Sequence, residues 1–107
     1  MKKQSKHNKL CDLVKARFES SPVFYDYGAQ YLEYPKGEID LVYINKGNII
    51  YTEVKSRFTP KQQNKAQKQL KRMKEYYDIE GMRVFCFEAY GTKNGIDIRR
   101  YKPCLKD

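Results

Sequence analysis

Asp40, Glu53 and Lys55 are the residues of this chain whose types and spacing could do chemistry. They lie in the stretch GEIDLVYINKGNIIYTEVKSR, which reads as two β-runs, Glu38–Ile44 and Ile49–Lys55, around the turn-forming Asn45, Lys46, Gly47 and Asn48. A hairpin folded about Lys46–Gly47 sets Asn45 against Asn48, Ile44 against Ile49 and finally Asp40 against Glu53. Directly opposed residues share a sheet face with Cβ atoms roughly 5 Å apart, where two like charges are destabilising. Lys55 follows Glu53 by one strand period and so projects from the same face. Two carboxylates and an ammonium gathered there suit a divalent cation with a cationic helper, the equipment of metal-dependent phosphodiester hydrolysis. The competing reading is a surface hairpin with an ordinary cross-strand ion pair. Against it, the hydrophobic spacing makes both runs central strands, where a dry acidic pair needs a counterion.

The elements that must position this trio can be read on either side of it. Leu10, Leu13, Val14 and Phe18 recur at helical spacing and predict a first helix over Lys6 to Glu19, ended by Ser20, Ser21 and Pro22. Val23–Tyr27 reads as a strand, and Gly28 to Pro35 as a connection or a continuation of it. After Arg57, Thr59 can serve as N-cap, Pro60 suits the first helical position, and Gln62 stands where a capping box wants Glu or Gln. That second helix is expected to run to about Tyr77 and to bury Ala66, Leu70, Met73 and Tyr77. Its other face carries Lys61, Lys65, Lys68, Lys71, Arg72 and Lys74, with no acidic residue between Lys55 and Lys74. Such a single-sign face resembles a clamp for a phosphate backbone more than a solvated surface, which usually mixes charges. Met82–Tyr90 is an apolar strand and Gly95–Tyr101 a weaker final one. The expected fold is a single α/β domain of order α-β-β-β-α-β-β, a central mixed sheet flanked by helices.

Composition bounds the partners. The 107 residues suffice for one core, and 22 Lys plus Arg against 13 Asp plus Glu give a formal charge of +9. An excess of that size favours polyanions through counterion release. No apolar run approaches membrane-spanning length, and MKKQSKHNK lacks the apolar stretch of a signal peptide. Cys11, Cys86 and Cys104 form neither a zinc pattern nor a disulfide framework, so they are read as inert packing residues in a protein of the reducing cytoplasm. The lone His7 falls in a basic arm, residues 1–8, whose lysines could track phosphates. It argues against chemistry that needs several histidines.

At Glu38-Ile39-Asp40, the turn, and Glu53-Val54-Lys55 followed by a helix and a further strand, the chain resembles the PD-(D/E)XK nuclease superfamily. The likeness spans roughly residues 8 to 90. It is nearest to the archaeal Holliday junction resolvases, in size, leading helix and a hairpin ending in Glu-Val-Lys, and to VRR-NUC domains, in the helix opening Thr59-Pro60-Lys61-Gln62. The resemblance implies a restriction-endonuclease-like core in which Asp40 and Glu53 ligate Mg²⁺, with Mn²⁺ able to substitute, and the Val54 carbonyl adds a ligand. Lys55 would position or activate the attacking water and stabilise the phosphorane-like transition state. An acid on the first helix completes such sites. Asp12, which precedes Leu13-Val14, is the best match, with Glu19 and Glu33 as alternatives. The family's glycine before that acid is missing, and Glu38-Ile39 stand where its proline would be.

The expected function is a Mg²⁺-dependent endodeoxyribonuclease without organic cofactor, selective for branched DNA such as four-way junctions. It is expected to act as a homodimer, because cutting both strands of a junction takes two active sites. Lys61, Lys65, Lys68 and Arg72 are the expected DNA contacts, while nothing in the text reads as a base-reading module. The alternatives are a restriction-like or nicking nuclease on ordinary duplex, and a catalytically silent nucleic-acid-binding protein of the same fold.

Overall fold

Ser5 caps the first helix, its side chain accepting a hydrogen bond from the Asn8 amide at 3.1 Å, and the chain turns helical one turn before the apolar repeat begins at Leu10. In the computed structural model, which describes residues 5–20, 30–34, 37–45, 47–76, 81 and 83–102, the elements follow as α1 (Lys6–Glu19), β1 (Gln30–Tyr34), β2 (Gly37–Asn45), β3 (Asn48–Lys55), α2 (Pro60–Tyr76), β4 (Arg83–Thr92) and β5 (Gly95–Tyr101). The chain is α/β, in the expected element order. The first helix has the expected bounds, so Lys6, His7 and Asn8, also read as the end of the basic arm, make the first turn of α1. The strand expected over Val23–Tyr27 lies outside the described residues, as does Cys104, and β1 forms in the stretch read as a connection or a continuation of that strand.

The strands form one five-stranded sheet in the order β1-β2-β3-β4-β5. β3 and β4 pair in parallel and the other neighbours antiparallel, so the sheet is mixed. Parallel pairing needs a crossover, and α2 supplies it between β3 and β4. Thr59 starts that helix as the sequence predicts, its hydroxyl accepting from the Gln62 amide at 3.1 Å. Gly47 takes φ 72°, a left-handed conformation that a side chain disfavours, and closes the β2–β3 turn with Asn45 opposite Asn48 and Ile44 opposite Ile49.

Alternation along β3 assigns the helices to opposite faces. Ile50 and Val54 pack with Leu10, Val14 and Phe18 of α1, together with Leu41 and Tyr43 of β2 and Ala89 of β4. Ile49 and Tyr51 pack with Leu70 and Met73 of α2, together with Ile39, Val42 and Cys86. Ala66, Leu70 and Met73 are all fully buried, and burial of a Leu or Met side chain stabilises by roughly 1.5–3 kcal/mol, enough to dock α2 on the sheet. Tyr77, the last residue expected in that stripe, lies outside the described residues.

One irregularity decides where the chemistry can sit. Gln30 pairs with Val42 and Leu32 with Ile39, so three steps along β2 are matched by two along β1. The extra residue is a β-bulge spanning Asp40 and Leu41, a device that re-aims side chains. Its effect is visible in the core: Ile39 packs on the α2 side and Leu41 on the α1 side, although a regular strand would give them one face.

Candidate active site

The β2–β3 ladder runs from Asn45–Asn48 to Leu41–Thr52 and stops one pair short of Asp40 and Glu53. The expectation of a plain cross-strand carboxylate pair is therefore corrected: the bulge releases Asp40 from the ladder. The two acids nevertheless meet. Asp40 Oδ2 accepts the Val54 amide at 2.8 Å, and Glu53 Oε1 lies 3.3 Å from the Asp40 amide. Each side chain thus takes a backbone donor that regular pairing would have used, which satisfies both amides and knits the splayed strand ends together. Lys55 Nζ stands 3.1 Å from Glu53 Oε2. A strand residue's carbonyl leaves the chain on the same side as its amide, so the Val54 carbonyl is directed toward β2 as well.

Burial makes this cluster electrostatically tense. The side chains of Glu53, Asp40 and Lys55 are 4 %, 11 % and 17 % exposed. Burial, reinforced by the adjacent Asp40 carboxylate and opposed by Lys55, pushes the Glu53 carboxyl from 4.5 up to about 8. One ammonium does not offset two desolvated acids, and a divalent cation would. The donor set is made of hard carboxylate and peptide oxygens, the chemistry that Mg²⁺ and Mn²⁺ prefer. The residues present fit such an ion.

The leading helix reaches the acids through residues other than the one expected. His7 Nε2 lies 3.1 Å from Asp40 Oδ1, and Cys11 Sγ 3.5 Å from His7 Nε2, one helical turn on. Burial, then the charge of Asp40, pushes the Cys11 thiol up to about 12. Asp12 sits beside Cys11 on a different face of α1; its carboxylate is 56 % exposed, 3.8 Å from Lys15 Nζ, and turned to solvent. Of the alternatives, Glu19 occupies the last residue of α1, at the end opposite His7, and Glu33 lies in β1. The His7-x₃-Cys11 spacing, which puts both side chains on one helical face, is the available signal for this contact.

Sequence reasoning misses a further buried acid. Glu88 of β4 is 2 % exposed and in register with Glu53 on the neighbouring strand. Its Oε1 accepts from Gln63 Nε2 at 2.9 Å and from the Tyr90 hydroxyl at 2.8 Å, and its Oε2 accepts from Gln67 Nε2 at 2.7 Å. This network ties the first turns of α2 to the sheet beside the Asp40–Glu53 pair. An acidic residue inside the apolar run Val84–Tyr90 is its signature, together with glutamines four apart on the preceding helix.

On α2, Lys61, Lys65, Lys68 and Arg72 are all exposed, and their spacing puts them along one stripe opposite the buried Ala66, Leu70 and Met73. The helix opens at Pro60, shortly after Lys55, so the basic stripe begins close in sequence to the cluster. Gly91 fixes that junction: a Cβ there would collide with the Ser56 carbonyl and press on Leu10 of α1, so only glycine lets β4 run this close to the segment following Lys55. No helix among the described residues is long and apolar enough to cross a membrane. Compared with known proteins, the chain matches no family model, no curated protein and no solved structure.

Proposed function

We propose that this protein is a Mg²⁺-dependent endodeoxyribonuclease of the PD-(D/E)XK type, with a restriction-endonuclease-like core, acting on branched DNA as a homodimer. The observation that carries the reading is the desolvated trio: Glu53 has the Asp40 amide at one carboxylate oxygen and the Lys55 ammonium at the other, at 3.3 and 3.1 Å. Asp40 and Glu53 would hold the ion, with the Val54 carbonyl beside them. When bound, Mg²⁺ supplies a water of lowered pKa and neutralises charge on the scissile phosphate. Lys55, held against Glu53 and largely out of bulk water, offers a fixed positive charge to the oxygens that become more negative in the transition state. The Val54 amide and His7 fix the orientation of Asp40, and Glu88 with Gln63 and Gln67 fixes α2 relative to the site. Lys61, Lys65, Lys68 and Arg72 would grip the phosphate backbone, a contact that confers affinity without base selectivity. Selectivity for junctions would come from the spacing of two such sites in a dimer.

Cleavage of a synthetic four-way junction and of a matched linear duplex, each with Mg²⁺ and with Mn²⁺, tests the proposal. Preferential cutting of the junction supports it. Equal cutting of both substrates replaces the junction assignment with a duplex or nicking nuclease, and binding without any cutting under saturating metal leaves a silent nucleic-acid-binding protein.

A further inference from the structure

His7, Cys11 and Asp40 present one ligand atom each, all within 4.8 Å of one another. Their spacing can be compared with what a metal would demand. A tetrahedral zinc with Zn–S of about 2.3 Å and Zn–N or Zn–O of about 2.0–2.1 Å separates S from N by about 3.5 Å and N from O by about 3.3 Å. The corresponding distances here are 3.5 Å from Cys11 Sγ to His7 Nε2 and 3.1 Å from His7 Nε2 to Asp40 Oδ1. The arrangement is held by structure: His7 and Cys11 stand one turn apart on α1, and Asp40 is anchored through its other oxygen to the Val54 amide. A thiol and an imidazole have little affinity for Mg²⁺, whereas a thiolate, an imidazole and a carboxylate together are a zinc-class donor set.

We propose that His7 Nε2, Cys11 Sγ and Asp40 Oδ1 bind a thiolate-preferring divalent cation of the zinc class, with solvent in the fourth position. Binding replaces the Cys11 thiol proton, which leaves to solvent. Because Asp40 belongs to both donor sets, an ion held by His7 and Cys11 occupies a carboxylate that Mg²⁺ would need and antagonises it. The binding claim stands on the three side chains alone, and its consequence for cleavage rests on the nuclease reading.

The test begins with the metal-free protein and Zn²⁺ alone, titrated in competition with a chromophoric chelator, with Co²⁺ as a spectroscopic substitute. The expected result is one tight equivalent and a thiolate-to-cobalt charge-transfer band. Loss of an outer-shell partner alone typically costs 10–100-fold in metal affinity, so Cys11→Ser and His7→Gln are each expected to weaken Zn²⁺ by at least about a hundredfold. Cys11→Ser should also remove the band, whereas Cys86→Ala, on the α2 side of the sheet, should change neither. His7 is 45 % exposed, so His7→Gln gives a folded variant even if Cys11→Ser disturbs the helix, and circular dichroism checks both. Zn²⁺ binding unchanged in His7→Gln and Cys11→Ser, or no tight equivalent in the parent protein, overturns the site. In a separate arm, Zn²⁺ added to the Mg²⁺ cleavage reaction is expected to inhibit the parent protein and, with each form compared with its own zinc-free rate, to inhibit His7→Gln far less. Equal inhibition overturns the antagonism while leaving the binding result standing. Absence of cleavage by any form counts against the nuclease reading and not against the zinc site.

Discussion

Val54 donates its backbone amide to Asp40 Oδ2 at 2.8 Å across the gap where β2 and β3 have ceased to pair. A side chain has taken over a ladder bond, and the carboxylate that did so is thereby fixed against the peptide joining Glu53 to Val54. The chain uses a bulge to exchange one regular hydrogen bond for a pair of close, desolvated acids.

Lys55→Ala is expected to lower the cleavage rate by about 10²–10³-fold, the usual consequence of removing a preorganised charge from a transition state. Binding of junction DNA should be nearly unchanged, because the exposed α2 stripe is the proposed source of the backbone contacts. Single-turnover kinetics beside a gel-shift titration measure both. Cleavage retained with binding lost would contradict the role given to Lys55.

Glu53 predicts a pH dependence of stability with a definite sign. Its carboxyl titrates at about 8 in the folded metal-free protein and at about 4.5 when unfolded. Below the lower value both states carry the proton; between the two values the folded state keeps a proton that the unfolded state sheds. Stability without metal is therefore expected to fall as pH rises from about 4.5 to about 8, by at most about 1.4 kcal/mol per pH unit. Glu53→Gln should flatten the profile, and Mg²⁺ should stabilise more at pH 8 than at pH 6, since it binds the ionised form. Urea denaturation across pH, with and without Mg²⁺, reads all three effects.

Most of the frame and part of the site are legible in the residues alone. α1, β3, α2 and β5 announce themselves because helical repeats, an N-cap threonine and the Asn-Lys-Gly-Asn turn are local signals. Among the described residues β1 pairs with β2 alone, and QYLEY carries no stronger local preference than the segment before it. The meeting of Asp40 and Glu53 follows from hairpin register, but the bulge that prevents their regular pairing does not. It shows only in the register of β1 against β2, which is tertiary information. His7 and Glu88 are hidden for a different reason: each is ordinary in its own segment and gains meaning from what packs against it.

Neutralising Lys61, Lys65, Lys68 and Arg72 to glutamine should weaken DNA binding uniformly across sequences. Each lost phosphate contact should reduce the slope of log affinity against log salt by about 0.9. Titrations at several salt concentrations check this, and an unchanged slope would remove α2 from the interface.

Glu88→Ala is expected to destabilise the fold by on the order of 2–4 kcal/mol, since it strands the Gln63, Gln67 and Tyr90 donors around a buried hole. Chemical denaturation measures it. A cost below about 1 kcal/mol would mean that the network adds little to the docking of α2.

The central claim is that Asp40 and Glu53 jointly hold a divalent cation beside Lys55. Anomalous diffraction from a crystal soaked in Mn²⁺ tests it most directly. The account predicts a peak within bonding distance of both carboxylates, adjacent to the Val54 carbonyl. A peak bound by His7 and Cys11 with Glu53 uncoordinated, or no peak at either acid, would contradict it.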